Sequence, residues 1–412
     1  MSISDAAIQE AEEAIMKLGT PPQPVDPYPL YESLRKINRV YESTTLGAFA
    51  ITGYKEVSAA AKMPSMRNGT RGFTKRREDW EQHDALRLLL RAMVTLDPPE
   101  HTRIRDFAAS LFSPALIKQM RASIERLADR HLDDLADKAS GGTVVDLVKT
   151  VASPFPVSVI SEILGVPDEQ GMMFYDLAND WTRVWGGGGY SEEELARADV
   201  AVMELRGHFE EIFKERRKKP QDDLISTLLK ATDDGQLSDE DLMALSTFLF
   251  ISGFETTTNL ISMGLYTLLE NRDQLALWRN KPEITPGAVE ELLRHGTPIA
   301  GTIRLTSETI QLGDKTIPDG RLIFLMTAGA NRDPAQFTDP DRLDLTRSEG
   351  PHVSFGGGAH YCLGANLARM EAQVILPKMI NRFSEIDVAG VTERRTATGL
   401  QGFEYLPLQV KE

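Results

Sequence analysis

The stretch Phe355–Ala372, FGGGAHYCLGANLARMEA, holds Cys362, the only cysteine in 412 residues. A free cysteine ordinarily behaves as a small, buried hydrophobe. The neighbours of this one suggest a different role. Beyond it, Leu363, Leu367, Met370, Val374 and Phe383 recur at helical spacing, which predicts a helix starting near the cysteine. A thiol at a helix N-terminus meets free amide hydrogens and the positive end of the macrodipole, and both lower its pKa. Glycines at 356, 357, 358 and 364 strip side chains from the vicinity, so a large planar ligand can approach the sulfur. Three readings stand side by side: a buried hydrophobe, the nucleophile of a cysteine hydrolase with His360 as base, and a metal-bound thiolate, which the geometry favours.

The bulk of the chain narrows the field. Its length admits two domains or one large unit. Hydrophobic content of 41% and charged content of 26% are ordinary for a globular protein. A single cysteine excludes an intrachain disulfide and a multi-cysteine zinc or iron–sulfur site. A net charge of −15 argues against nucleic acid as a partner. The N-terminus, MSISDAAIQEAEEAIMKLG, carries acids where a signal peptide carries positive charge, and reads as a short amphipathic helix or a frayed tail. No stretch approaches the roughly 20 apolar residues of a membrane span. The longest apolar run, Leu245–Phe254, is broken by Ser246, Thr247, Ser252 and Gly253. A cytoplasmic protein is the expectation.

Along the chain there is no repeat, low-complexity block or polar linker. Pro21–Tyr31 predicts an extended entry to a short helix, and Arg39–Tyr54 a hairpin turning at Leu46-Gly47. Helical periodicity then dominates, over Pro99–Leu111, Pro114–Lys138, Glu192–Lys218, Asp222–Ala231 and Asp239–Leu269. Short strands follow Arg304, and the tail FEYLPLQV is strand-like. The fold class is mainly α with a small β region. The run Gly186–Gly189 suits either a lid or a plain connection, and Thr70–Asp84 an exposed loop or short helix.

Several clusters could carry chemistry. Ser238 and Asp241 have capping-box spacing at the start of a helix of about 30 residues, roughly 45 Å long. Its centre, FISGFETTTNLIS, is a polar patch in an apolar helix, either a satisfied core network or a hydroxyl and a carboxylate poised in a cavity. Ser252 and Thr256 share a face, and Thr256 can bond back to the carbonyl of residue 252 and bend the helix. Gly253 lets a flat group press against the backbone. Glu291 and Arg294 lie three apart on one helix face and can pair, although such a pair alone is usually a surface bridge. His101 and Arg105 at i, i+4, with Arg304 and His360, make four possible donors to anionic groups.

Together these motifs resemble the cytochrome P450 superfamily of haem-thiolate monooxygenases. FGGGAHYCLG is similar to its haem-binding loop through Phe355, Gly358, Cys362 and Gly364. SGFETT resembles the oxygen-activation stretch of the long central helix, Glu291 and Arg294 the Glu-x-x-Arg pair, and ANRDPAQFTDPDRLDLTR the segment leading to the haem loop. DPPEHTRIR and DPYPLY resemble bacterial members, and the likeness runs from about Pro27 to Leu408. It implies a single-domain cytochrome P450 fold, a triangular helical prism. Residues 1–20 would be a flexible or helical extension and residues 21–412 one catalytic domain.

It also implies haem b with Cys362 as axial thiolate, which favours O–O cleavage. Phe355, Gly358, Gly364 and Gly253 would lie against the haem. His101, Arg105, Arg304 and His360 would hold the propionates. Thr256 and Glu255 would pass protons through water to the dioxygen being reduced. Glu291 and Arg294, together with Arg342, would lock the core near the cysteine. Ser252 departs from the usual Ala or Gly and adds a hydroxyl, and Glu255 stands where Asp is also common. With Thr256 and an acid both present, a peroxide-driven variant is disfavoured.

The implied reaction inserts one oxygen atom of O₂ into a C–H or C=C bond of a mostly apolar small molecule. Electrons would come from a separate ferredoxin and its NAD(P)H-dependent reductase, with Arg103 and Arg105 as candidates to receive the acidic partner. A monomer is expected. The alternatives are oxidative coupling, desaturation or rearrangement in secondary metabolism, and a haem sensor without turnover. Candidate substrate contacts are Phe248, Ile251 and Ser252, Ala300 and Thr302, the Trp181–Trp185 region, and Gln401.

Overall fold

The structure, a computed structural model, describes residues 4–19, 26–185, 189–395 and 399–412. Residues 21–25 of the expected extended entry and Gly186–Gly188 of the glycine run lie outside the described residues, and residues 28–31, expected to be extended, already belong to the helix Tyr28–Ile37. The chain gathers into two compact units. One comprises the chain up to Gly69, Ala128–Ala152 and Thr256 onward, and the other Thr70–Leu127 and Ser153–Glu255.

The first unit is built on a five-stranded sheet. In spatial order its strands are Val40–Ser43, Ala48–Ile51, Leu322–Leu325, Thr302–Thr306 and Met66–Asn68. The predicted hairpin is its edge, with Val40 opposite Ile51, Ser43 opposite Ala48, and Gly47 at φ 60° in the turn. Only the pairing of Ala48–Ile51 with Leu322–Leu325 is parallel within this sheet. Beneath it lie Phe49, Ile51, Val57, Ile317, Ile323 and Leu325.

The N-terminal helix Asp5–Gly19 packs Ala11, Ala14 and Ile15 against Tyr31, Leu34 and Tyr41 of the same unit. Glu12 fastens it to the hairpin. Its carboxylate accepts bonds from the Tyr41 and Ser43 hydroxyls, both at 2.7 Å, and from the backbone N–H groups of Thr44 and Thr45 at 3.0 and 3.2 Å. Desolvation pushes this carboxyl's pKa up, but the bonds from the hairpin outweigh it and hold the value at about 2.

The second unit is helical. Its core is a chain of rings: Phe174 lies 5.0 Å edge-to-face from Phe209 and 5.3 Å from Phe250, which meets Phe254 at 5.5 Å. The helix Glu192–Lys218 follows a complete capping box, with Ser191 accepting from the Glu194 N–H and Glu194 accepting from the Ser191 N–H. Three glutamates in its first turn and Arg216, Arg217 and Lys218 in its last complement the macrodipole. The single helix expected over Pro114–Lys138 is two, Pro114–Gln119 and Arg121–Lys138. The first is a turn and a half closed by Met120, whose N–H bonds to the Ile117 and Lys118 carbonyls. Apolar periodicity carries across such a break, so the sequence did not show it.

The central helix, Asp239–Glu270, is 32 residues long. It opens on the expected capping box, in which the Asp241 N–H reaches Ser238 Oγ at 3.0 Å and Asp241 Oδ2 accepts from the Ser238 N–H at 3.2 Å. Among the described residues no helix is long and apolar enough to cross a membrane.

Candidate cofactor site

The cysteine loop is shaped by backbone bonds and two left-handed glycines. The Cys362 N–H donates to the Phe355 carbonyl at 2.9 Å, and the Tyr361 N–H to the Gly358 carbonyl at 3.1 Å. Gly356 and Gly358 have φ of 71° and 61°, a region that L side chains rarely enter. Gly358 is also forced by contact, because a Cβ there would come within 2.5 Å of the Ala61 carbonyl oxygen. At Gly364, immediately before the helix Ala365–Arg382, an added Cβ would meet nothing within 4 Å. Cys362 itself is only partly buried. A quiet core thiol would be enclosed, so the buried-hydrophobe reading is set aside. A partly buried cysteine just ahead of a helix start, with open space at Gly364 two residues on, suits a ligand that arrives from outside the chain.

A buried ion pair locks the segment preceding this loop. Arg294 donates Nε and Nη2 to both oxygens of Glu291 at 2.7 and 2.8 Å, with both side chains almost wholly buried. Its remaining hydrogens go to the carbonyls of Asn331, Pro340 and Arg342. The guanidinium expected beside this pair from Arg342 is supplied by Arg347, whose Nε lies 3.2 Å from Glu291 Oε1. Arg342 has an exposed side chain and offers only its backbone carbonyl.

Asn331 extends the lock to the cysteine loop. Its Nδ2 donates to Thr297 Oγ1 and Ser354 Oγ at 2.7 and 2.8 Å, and its Oδ1 accepts from the Val353 N–H at 2.8 Å. Ser354 Oγ in turn donates to the Leu293 carbonyl at 2.8 Å. The end of the Glu-x-x-Arg helix (Thr285–His295) and the start of the cysteine loop are thereby tied through one amide.

On the central helix every residue from Leu242 to Leu265 is buried except Ser252, Gly253 and Thr256. These three lie at i, i+1 and i+4, so the accessible window falls on one stretch of one side. Glu255 is buried. Two expectations for this helix are corrected. Among the described residues Thr256 makes no bond back to the Ser252 carbonyl. Such bonds come instead from Thr247 to Met243 at 2.8 Å and from Ser262 to Thr258 at 2.9 Å. Gly253 does not leave a gap for a flat group where its side chain would be, because a Cβ there would strike Ile160 Cγ1 at 2.5 Å. It is glycine so that the helix Pro154–Leu164 can approach closely.

Of the four expected anion donors, His101 is buried and Arg105 half-buried on the helix Glu100–Leu111 of the second unit. Arg304 and His360 are half-buried in the first unit. Arg304 belongs to an inner strand whose first four residues, Thr302 to Leu305, all keep accessible surface. Ala300 and Gln401 are likewise partly accessible, and Gln401 donates its N–H to the Pro298 carbonyl.

Trp181 and Ile251 are packed away, at 0% and 1% exposure, which removes them as direct ligand contacts. Trp181 instead donates its indole N–H to the Ala85 carbonyl at 2.9 Å and packs edge-on against Trp185. Trp185 stacks on Phe248 at 6.2 Å and keeps an accessible edge. Arg103 is engaged with Asp241 at 2.9 Å and the Gln236 carbonyl, at the start of the central helix.

Within the first unit, the partly buried cysteine, the glycines beside it and the accessible strand are the features a thiolate-bound metal cofactor would need. The comparisons agree. The cytochrome P450 family profile matches residues 190–276 and 278–403. The chain is 37% identical over 383 residues to cytochrome P450 107B1 of Saccharopolyspora erythraea, which covers 90% of this chain and 92% of that protein. It is 34% identical to 6-deoxyerythronolide B hydroxylase of the same organism, over 94% of this chain and 96% of that one. The solved structure of the tirandamycin C-bound P450 monooxygenase TamI superposes with a TM-score of 0.82 at 33% identity, covering 94% of this chain and 98% of that one. With both sequence and fold matched over nearly its whole length, the chain belongs to the cytochrome P450 family of haem-dependent monooxygenases.

Proposed function

We propose that this protein hydroxylates or epoxidises a mostly apolar small molecule of secondary metabolism. One atom of O₂ enters a C–H or C=C bond and the other leaves as water, with two electrons and two protons consumed. Bound haem b supplies the oxygen activation. The observation that carries this reading is the partly buried Cys362, fixed by its N–H bond to Phe355, with open space at Gly364 two residues on.

The chain's own residues would then divide the work. Cys362 holds the iron, and Phe355, Gly358 and Gly364 shape the loop around it. His101, Arg105, Arg304 and His360 hold the propionates by charge-assisted bonds. Thr256, in the accessible window of the central helix, offers a hydroxyl that orders water, and buried Glu255 on the same helix supplies protons. Ser252, exposed in that window, contacts substrate or an ordered water. Trp185, Phe248, Ala300, Thr302 and Gln401 contribute to substrate shape. The chain, with its N-terminal helix Asp5–Gly19 included, acts as one monomeric catalytic protein in the cytoplasm, served by a separate ferredoxin and NAD(P)H-dependent reductase.

The names of the relatives support the substrate class, since 6-deoxyerythronolide B hydroxylase and the polyketide biosynthesis cytochrome P450 PksS are both similar to this chain. The test begins with the purified, haem-supplemented protein. The wild type should show the Soret band of a thiolate-ligated haem and Cys362→Ser should not. A ligand screen on that band, followed by turnover under ¹⁸O₂, should give a product bearing one labelled oxygen. A colourless protein refutes the haem reading, and an unlabelled coupled or desaturated product refutes oxygen insertion.

A further inference from the structure

Phe355 is caged by charged and aromatic side chains of its own unit. Arg369, on the helix that follows Cys362, lays its guanidinium over the ring with Cζ 4.5 Å from the centroid. His352 and Tyr361 flank the ring at 5.6 and 6.3 Å. Arg369 is itself held, because its Nε and Nη2 donate to the two oxygens of Glu290 at 2.7 and 2.8 Å, a bidentate fork. A third donor, Nη1, reaches the Tyr361 hydroxyl at 3.4 Å.

Glu290 also faces His352, whose Nε2 lies 3.3 Å from Oε2, at ion-pair distance but off the line a hydrogen bond needs. His352 Nδ1 accepts the Ser354 N–H at 3.1 Å, so the ring hydrogen lies on Nε2, toward the carboxylate. Burial pushes the Glu290 carboxyl's pKa up, and the bonds from Arg369 together with the neighbouring His352 ring bring it down to about 2, so it is ionised.

Half-exposed ion pairs add little to stability. This one is bidentate, stacked on an aromatic ring, and placed on the residue whose carbonyl holds the Cys362 N–H. Fixed charges near a metal–thiolate centre bias its oxidation states, because the reduced form carries one more negative charge.

We propose that Arg369 and Glu290 are positioning residues that set the reduction potential of a haem held by Cys362. Arg369 presses positive charge on Phe355, and Glu290 fixes that charge in place and partly cancels it. The inference rests on the haem-thiolate reading.

The two residues have opposite signs, which separates tuning from plain support. Potentials are read by spectroelectrochemical titration of the haem-loaded full chain. Arg369→Ala leaves Glu290 uncompensated and should lower the ferrous-to-ferric ratio at a fixed potential by roughly three- to tenfold. Glu290→Gln frees the guanidinium charge and should raise that ratio by roughly the same factor. Arg369→Lys keeps the charge and should stay nearer the wild type than Arg369→Ala does. Shifts of both single variants in one direction, or no shift in either, would overturn the proposal. If Arg369→Ala takes up no haem, the near-isosteric Glu290→Gln decides alone, and an unchanged or lowered ratio overturns it. A wild type that shows no thiolate-ligated haem spectrum overturns the haem reading and this proposal with it. A normal wild-type spectrum with unmoved potentials overturns only this proposal.

Discussion

Glu371 lies two and a half turns past Cys362, on the helix that leaves the cysteine loop. It is fully buried, and neither carboxylate oxygen has a hydrogen-bond partner of standard geometry. Desolvation raises its pKa well above the ordinary 4.5, and the nearby Thr257 hydroxyl pulls the other way only partly. The carboxyl is therefore protonated in the fold at pH values where the unfolded chain has already ionised it. A folded pKa raised above the unfolded one contributes stability that is complete below the unfolded value and is lost as pH rises toward the folded value. Each pH unit in that interval costs roughly 1.4 kcal/mol. Glu371→Gln keeps the size and removes the proton, so it removes the slope. As pH rises from the unfolded value toward the folded one, the wild type should lose stability relative to this variant at roughly that slope. Urea unfolding of both proteins across that range measures the difference, and infrared spectroscopy should show a protonated-carboxyl band in the wild type that the variant lacks. A difference that stays flat with pH, together with no missing band, would refute the argument that burial keeps this group neutral.

Other expectations follow from single contacts. Asn331→Ala breaks three bonds, two of them buried, that tie the chain just past the Glu-x-x-Arg helix to the cysteine loop. It should cost about 2–4 kcal/mol in urea unfolding and speed haem loss to apomyoglobin. Gly253→Ala drives a methyl into Ile160 and should cost about 1–3 kcal/mol, whereas Ser252→Ala, one residue earlier but exposed, should change stability by less than about 0.5 kcal/mol. Thr256→Ala should leave the fold and the resting haem spectrum unchanged while shifting consumed NAD(P)H from product to hydrogen peroxide, a ratio measured by parallel product and peroxide assays. Equal coupling in the two proteins would remove Thr256 from proton delivery.

What the sequence revealed was local. Phe355, Gly358, Cys362 and Gly364 lie within ten residues of one another, and the bond from Cys362 to Phe355 closes inside that loop. Glu291 and Arg294 pair because helix geometry places residues three apart together. The residues that escaped notice are those whose partners lie elsewhere in the chain. Asn331 is one polar residue in a loop until its partners, 22, 23 and 34 residues away, are known. Arg342 and Arg347 are indistinguishable in one loop, and only the path of the backbone decides which guanidinium faces Glu291. Gly253 showed that a side chain had to be missing but not what filled the space. Glu371 looked like an ordinary helical glutamate, because the amphipathic pattern of its helix is weak, and its burial depends on packing that the pattern does not encode.

The Glu12 anchor bears on how this protein can be handled in the laboratory. Trimming the chain at residue 21, a natural choice for an expression clone, would remove the only carboxylate that receives the Tyr41 and Ser43 hydroxyls and the Thr44 and Thr45 amides among the described residues. It would also bare Tyr31, Leu34 and Tyr41, now covered by Ala11, Ala14 and Ile15. Because the hairpin forms the edge of the sheet that carries Arg304, a shortened clone risks a sticky, loosened edge strand and poor yield. Purification tags are therefore better fused ahead of the first helix, with that helix left intact.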